Sequence, residues 1–305
     1  MSEDKLREMT VEEAVEALKE YKEKTGLSQS KIAKKMGVSE AVVSGFLSGS
    51  YKAMESIVPK VQQLIRVEDK KEVAPREPGF KMTTVSKTVL DLISYCHVAG
   101  KIGIAYGDAG IGKTMAIREY KKHNPDTSVV ITISPCFATM TGVNELLADE
   151  LHVQEKISRK IQKEVVNKLR GSNKVVIIDE AQHLTVRVIN HLRCIADESG
   201  VGMAFVGNEE IYIKMRGSGQ AAYAQLYSRI ADPEHLLTTD IKKDDIRLLF
   251  EDTDMPEEAI DILYQISHTG YGVRGAVNVF LNTASAFGEI TTGGVAQMAK
   301  KMSIV

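Results

Sequence analysis

Cysteine is scarce, and its spacing carries no pattern. Cys96, Cys136 and Cys194 are odd in number and form no CxxC pair, which excludes a disulfide framework and a zinc ribbon. The seven histidines form no HExxH pair and no close Cys/His cluster, so chemistry at a transition metal held by the protein is not expected. No apolar run approaches the ~20 residues that span a bilayer. The opening stretch, MSEDKLREMTVEEAVEALKEY, is charged throughout and lacks the apolar core of a signal peptide. Internal repeats and low-complexity tracts are also missing. The net charge is only −2, so the chain is no polycation, and any contact with nucleic acid must come from local patches. These absences lead to the expectation of a reduced, cytoplasmic protein without a membrane partner.

What is present is an ordinary globular composition, 43% hydrophobic and 26% charged, in 305 residues. That length allows two or three domains. Residues 1–66 read as short helices. Leu6, Val11, Ala14, Val15, Leu18 and Tyr21 fall at helical spacing, with Thr10 and Glu13 placed as a capping box. Residues 67–82, charged and carrying Pro75, Pro78 and Gly79, read as a linker. A helical stretch follows, and then four short apolar runs, KIGIAY, SVVITI, KVVIID and GMAFVG, each bounded by polar or small residues. Runs of that length without alternation predict strands buried on both faces, hence parallel, with helices between them. The expected class is therefore α/β over residues 83–238, followed by a small helical domain over 239–305.

The stretch YGDAGIGKTMAIREY carries the pattern GxxxxGK[ST] between a strand and a helix. Gly107, Asp108, Ala109, Gly110, Ile111 and Gly112 turn successive backbone N–H groups inward around phosphates. Lys113 brings a point charge to the β- and γ-phosphates, Thr114 offers a hydroxyl to Mg²⁺, and Met115 continues the first helical turn. Downstream, VVIIDEAQHL is a strand of β-branched residues ending in Asp179 and Glu180. Acids at that end lie at the sheet edge where open α/β folds bind ligands. Asp179 suits Mg²⁺, and Glu180 suits orienting and deprotonating an attacking water. Asn208, after the run GMAFVG, is a candidate for the γ-phosphate or simply a turn Asn. Arg229, in YAQLYSRIADP, is a candidate finger toward a neighbouring subunit, or a surface Arg with a carboxylate partner, with Arg216 as the substitute. Arg274, in GYGVRGAVN, opens a helix that can close on the nucleotide. Gln182 and His183, beginning the helix after the acids, are candidates only for relaying nucleotide state to DNA or to a neighbour, with packing the expected use of His183.

Upstream, SQSKIAKKMGVSEAVVSGFLSGSY reads as a helix-turn-helix, with helices near Gln29–Met36 and Glu40–Leu47. Gly37 supplies the left-handed turn residue and Ser39 the second cap. Ile32, Val38, Val43, Phe46 and Leu47 are the expected core. Ser39, Glu40, Ala41 and Ser44 are the exposed candidates of the second helix, and none makes bidentate base contacts. Lys31, Lys34, Lys35, Lys52 and Lys60 are placed for phosphates instead, which predicts salt-sensitive binding to double-stranded DNA with little sequence preference.

The ordered set Gly107–Thr114, Asp179–Glu180, Asn208, Arg229 and Arg274 resembles the AAA+ ATPases, in which these positions match Walker A, Walker B, sensor 1, arginine finger and sensor 2. More narrowly, GDAGIGKTMAIREY, VVIIDEAQHL, GNEEIY and LYSRIA behind a helix-turn-helix resemble the phage Mu B family of transposition ATPases. That resemblance implies a P-loop core with a helical lid, ATP and Mg²⁺ as cofactors, and ATP-dependent self-assembly into filaments or rings on DNA. It also implies delivery of target DNA to a DDE transposase, with hydrolysis driving release. The segment after Arg229 is less basic than a DNA-facing surface would be, and only Lys242 and Lys243 stand out. A helicase would need a second nucleotide-binding core, and only about a hundred residues follow Asn208. A helicase loader or other AAA+ replication factor, and a nucleotide-sensing transcription regulator, share the same parts and remain as alternatives.

Overall fold

The computed structural model describes residues 9–73, 75–155, 157–216 and 228–304. The chain divides into two compact units, Met1–Pro75 and Arg76–Val305.

In the first unit, α1 (Val11–Thr25) opens on a complete capping box. Thr10 N donates to Glu13 Oε2 at 2.8 Å, and Glu13 N donates to Thr10 Oγ1 at 3.2 Å, so two otherwise unpaired N–H groups are satisfied. Helices α2 (Gln29–Met36) and α3 (Glu40–Leu47) are joined through Gly37 at φ 64°. Ser39 stands at the cap position of α3 with an extended backbone, but its side chain makes no capping bond. That expected cap is therefore not formed; the hydroxyl is left to solvent. Leu18, Ile32, Val43, Phe46 and Val61 are fully buried, with Val38 and Leu47 half-buried against them. Helix α4 (Val58–Val73) runs into the segment expected as linker. Its residues Val67–Val73 hold no Pro or Gly, and Glu, Asp and Lys at those positions sustain a helix that began upstream. Only from Pro75 to Thr83 is the backbone free of regular structure.

The second unit begins with α5 (Thr84–Ala99) and then alternates strands and helices: β1 (Ile102–Gly107), α6 (Lys113–His123), β2 (Ser128–Thr132), α7 (Met140–Glu150), α8 (Ser158–Leu169), β3 (Val175–Asp179), α9 (Val186–Ser199), β4 (Gly202–Val206) and α10 (Glu209–Arg216). The sheet is parallel in the order β2-β3-β4-β1-β5, with β5 spanning Ile230–Leu236. The four strands with continuous apolar runs are β1 to β4. Strand β5 has no such run. It is an edge strand that alternates half-buried and exposed residues and tolerates Pro233, as edge strands do, so its sequence does not announce it.

Four helices complete the unit: α11 (Lys243–Leu249), α12 (Glu257–Ser267), α13 (Gly272–Phe287) and α14 (Thr292–Lys301). Their apolar residues, among them Ile246, Leu263, Ile266, Val279 and Val295, form one cluster with Val89, Ile93 and Ile117 and with Ala105, Ile177 and Val206 of the sheet. Buried Asp245 ties this helical region to α5. It accepts from Thr84 N at 2.8 Å, Thr84 Oγ1 at 3.2 Å and Lys242 N at 2.8 Å. Cys96, also in that core, is buried, and desolvation pushes its thiol up to about 12, so it is an inert packing residue.

Candidate nucleotide site

Strand β1 lies between β4 and β5, and the loop that leaves its C-terminal end turns at once into α6. This is the switch point at which open α/β sheets take ligands. The loop is pinned at its outer side by β5. Asp108 N donates to Leu236 O at 2.9 Å, and Thr238 N donates to Asp108 Oδ2 at 2.7 Å. Lys113 folds back over the loop, donating to Gly107 O at 3.1 Å and Asp108 O at 2.6 Å. Burial holds its ammonium below the usual lysine range, and the Arg274 charge pushes the same way against Asp108, Asp179 and Glu180. A phosphate in this loop would give Lys113 a better partner than two carbonyls. Met115 is exposed at the first turn of α6.

The acid pair meets this loop from β3. Thr114 Oγ1 donates to Asp179 Oδ2 at 3.0 Å, and Glu180 N donates to Asp179 Oδ1 at 2.9 Å. Asp179 is only 4% exposed, and desolvation pushes its carboxyl above the usual range. Glu180 leaves the strand in the left-handed region, at φ 54° and ψ 35°. That conformation costs about 1–3 kcal/mol for a residue other than glycine and is characteristic of functional sites.

The side chain of Asn208 divides its roles. Its Oδ1 accepts from Glu210 N at 2.9 Å and so starts α10, the turn role foreseen for it. Its Nδ2 has no partner among the described residues. Gln182, a candidate from sequence only for relaying nucleotide state, joins Glu180 to Asn208. Its Nε2 donates to Glu180 Oε2, and its Oε1 accepts from Asn208 N at 3.2 Å. His183, expected to pack, is instead exposed. The short 3₁₀ turn Ala181–His183 buries Ala181 and leaves the imidazole outside.

Helix α13 begins directly on the loop. Arg274 N donates to Gly110 O at 2.9 Å, and its side chain is exposed. Gly272, at φ 60°, approaches so closely that a Cβ there would stand 2.8 Å from Ala109 O. The run GYG before Arg274 was the available signal for this contact. Tyr271, exposed, borders the same loop.

Arg229 lies elsewhere. It precedes β5, whose Ile230 is in register with Ile102 and whose Leu236 is in register with Gly107. At about 3.3 Å per residue, this places Arg229 roughly 20 Å from the loop of its own chain. It sits 3.8 Å from Asp197 Oδ1 and is mostly exposed. Arg216, at the end of α10, is also exposed. Of the basic residues singled out in the first unit, Lys31, Lys34 and Lys52 are exposed, as are Ser39 and Ser44. Lys35 differs, since Tyr21 Oη and Glu68 Oε1 both accept from its Nζ at 3.1 Å. Lys243 is likewise neutralised, by Glu257 at 2.6 Å and Asp261 at 2.5 Å. Among the described residues no His, Cys, Asp and Glu group forms a metal cage, and no helix is long and apolar enough to cross a membrane.

Residues 97–215 match the family model described as AAA domain. The chain is 30% identical over 272 residues to the Mu-like prophage FluMu DNA transposition protein B of Haemophilus influenzae, covering 85% of this chain and 92% of that one. It is 28% identical over 248 residues to the ATP-dependent target DNA activator B of Escherichia phage Mu, covering 80% and 78%. Among solved structures, Cdc6p from Pyrobaculum aerophilum superposes with a TM-score of 0.55 at 15% identity, covering 76% of this chain and 71% of that one. The last likeness is one of fold.

Proposed function

The chain belongs to the family of the DNA transposition B proteins of Mu-like phages, and on that premise we propose that it activates target DNA for transposition. It is an ATPase built on an AAA domain. In the ATP state it assembles on double-stranded DNA with little regard to sequence, in the cytoplasm of a bacterial host. It then presents that DNA to a DDE transposase and stimulates strand transfer, and hydrolysis disperses the assembly.

The observation that carries this reading is the joint at which Thr114 donates to Asp179 and Asp179 accepts from Glu180 N. It sets a hydroxyl, a buried carboxylate and a second carboxylate side by side beneath the phosphate loop. Lys113 exchanges the carbonyls of Gly107 and Asp108 for the β- and γ-phosphates. Thr114 Oγ1 and Asp179 Oδ2 are the hard oxygens that suit magnesium, and no ammonium or guanidinium among the described residues pairs with Asp179, so the pair fits that ion. Magnesium, when bound, supplies positive charge that draws electron density from the phosphates.

Glu180 takes a proton from a water whose oxygen attacks the γ-phosphorus. The bond from that phosphorus to the bridging oxygen breaks, leaving ADP and phosphate. Asn208 Nδ2 and Arg274 serve the γ-phosphate from either side of the loop. Arg229, out of reach of its own loop, serves a neighbour's. In the first unit the helix-turn-helix formed by α2 and α3 presents Lys31, Lys34, Lys52, Ser39 and Ser44 to the DNA backbone. A net-acidic monomer binds weakly through so few cations, and assembly multiplies them along one duplex.

Co-sedimentation on random-sequence DNA with ATP, ADP and a non-hydrolysed analogue tests the reading. Binding is expected with ATP and the analogue, to be lost in Lys113→Ala, and to persist in Glu180→Gln. Binding indifferent to nucleotide, or confined to one operator sequence, contradicts it.

A further inference from the structure

Two residues beyond the acid pair, Gln182 has each end of its amide engaged. Its Nε2 donates to Glu180 Oε2, while its Oε1 accepts from Asn208 N. The peptide carbonyl of the same residue accepts from Lys214 Nζ of α10. Helix α10 is in turn seated on the sheet, with Tyr212 stacked on Tyr106 at 4.1 Å. The approach leaves no slack. A Cβ at Gly207 would stand 2.6 Å from Gln182 Oε1 and 3.2 Å from Gln182 N, so with this placement of the Gln side chain the turn after β4 has no room for a side chain at that position.

The consequence falls on Glu180. Its backbone is held left-handed and its N–H is committed to Asp179. Gln182 then fixes one carboxylate oxygen, and the other, Oε1, has no partner among the described residues. A carboxylate with one oxygen anchored and one free is oriented to take a proton from a single direction. Without the amide, the side-chain torsions of Glu180 are unrestrained, and a general base that wanders loses the alignment on which its rate depends.

We propose that Gln182 is a positioning residue for hydrolysis, holding the Glu180 carboxylate in register with the Asn208 turn and with α10. Its effect on the rate is exerted through Glu180. The proposal rests on the reading of Glu180 as the base.

The test measures single-turnover ATP hydrolysis by the full chain, without DNA, together with nucleotide affinity. Four proteins are compared: wild type, Gln182→Met, Glu180→Gln and the double variant. Met keeps the volume of Gln and removes both hydrogen bonds. The expected result is a hydrolysis rate about tenfold lower in Gln182→Met, with nucleotide affinity within about twofold of wild type. In the Glu180→Gln background the same substitution changes the residual rate by less than about twofold, because groups acting as a unit are not additive. A wild-type rate in Gln182→Met overturns the proposal. So does a loss that multiplies with Glu180→Gln, or one that comes with weakened nucleotide binding, since each assigns Gln182 to structure. If Gln182→Met does not fold, Gln182→Leu replaces it. That variant is also apolar and uncharged and cannot donate to Glu180, and the same loss is expected. Should Glu180→Gln alone hydrolyse at the wild-type rate, the assignment of Glu180 fails, and that failure is visible separately from any effect at Gln182.

Discussion

Gly272 stands against Ala109 O, so close that a β-carbon would lie 2.8 Å from that oxygen. The start of α13 and the phosphate loop are thus packed backbone to backbone, and the helical region rests on the loop without a side chain between them. Gly272→Ala adds a methyl group to that contact and forces a left-handed backbone, at φ 60°, on a residue that resists it. The expected outcome is nucleotide affinity reduced about tenfold, while α/β secondary structure is retained. Titration with a fluorescent ATP analogue and circular dichroism of the same sample check both halves.

Asp245 gathers three donors from two segments, Thr84 N, Thr84 Oγ1 and Lys242 N. Replacing it by Ala leaves two backbone N–H groups without their acceptor at a partly buried joint. We expect about 2–3 kcal/mol of destabilisation, the cost typical of stranded polar groups. Urea denaturation measures it. Asp245→Asn, which keeps one acceptor, should recover part of the loss.

His191 Nε2 lies 2.8 Å from Asn144 Oδ1. Burial lowers the His191 pKa from its usual value, and the Glu198 charge only partly opposes this. In the folded chain the neutral ring is favoured, so between the lowered value and about 6.5 the unfolded chain binds more protons. Stability therefore rises with pH through that window and falls as pH drops through it. His191→Gln, which keeps a donor toward Asn144, should flatten this part of the curve. Thermal unfolding between pH 5 and pH 7.5 shows whether it does.

Arg229 and the loop of its own chain are separated by the length of β5. Arg229→Ala should therefore bind nucleotide normally yet hydrolyse slowly on DNA. Mixed with Lys113→Ala, which binds no nucleotide but retains Arg229, it should regain activity, because each protein supplies what the other lacks. A mixture no more active than its components would place the finger elsewhere, with Arg216 next to be tested by the same pairing.

The parts of this site that were legible in sequence are local. A strand, six loop residues and a helix start are contiguous, so Gly107–Thr114 declares itself through spacing. The acids at the end of VVIID declare themselves through the strand that carries them. What was not legible depends on segments distant in sequence. Gln182 acquires its task only because the turn after β4 comes within hydrogen-bonding distance, 26 residues on. Lys35 and Lys243 looked like free cations, but their carboxylate partners lie on other helices. Strand β5 escaped notice because an edge strand buries too little to need an apolar run. The reach of α4 through a charged segment followed from a helix already nucleated upstream, where extension costs less than initiation.

Strand β5 also carries a mechanical implication. Its last residue accepts from Asp108 N in the phosphate loop, the Thr238 N–H just beyond it reaches Asp108 Oδ2, and Arg229 stands before its first residue. The strand is paired with β1 from Ile230 to Leu236, with one register shift between Ile102 and Gly103. It therefore ties the phosphate loop, held at Leu236, to Arg229 about 20 Å away through continuous backbone.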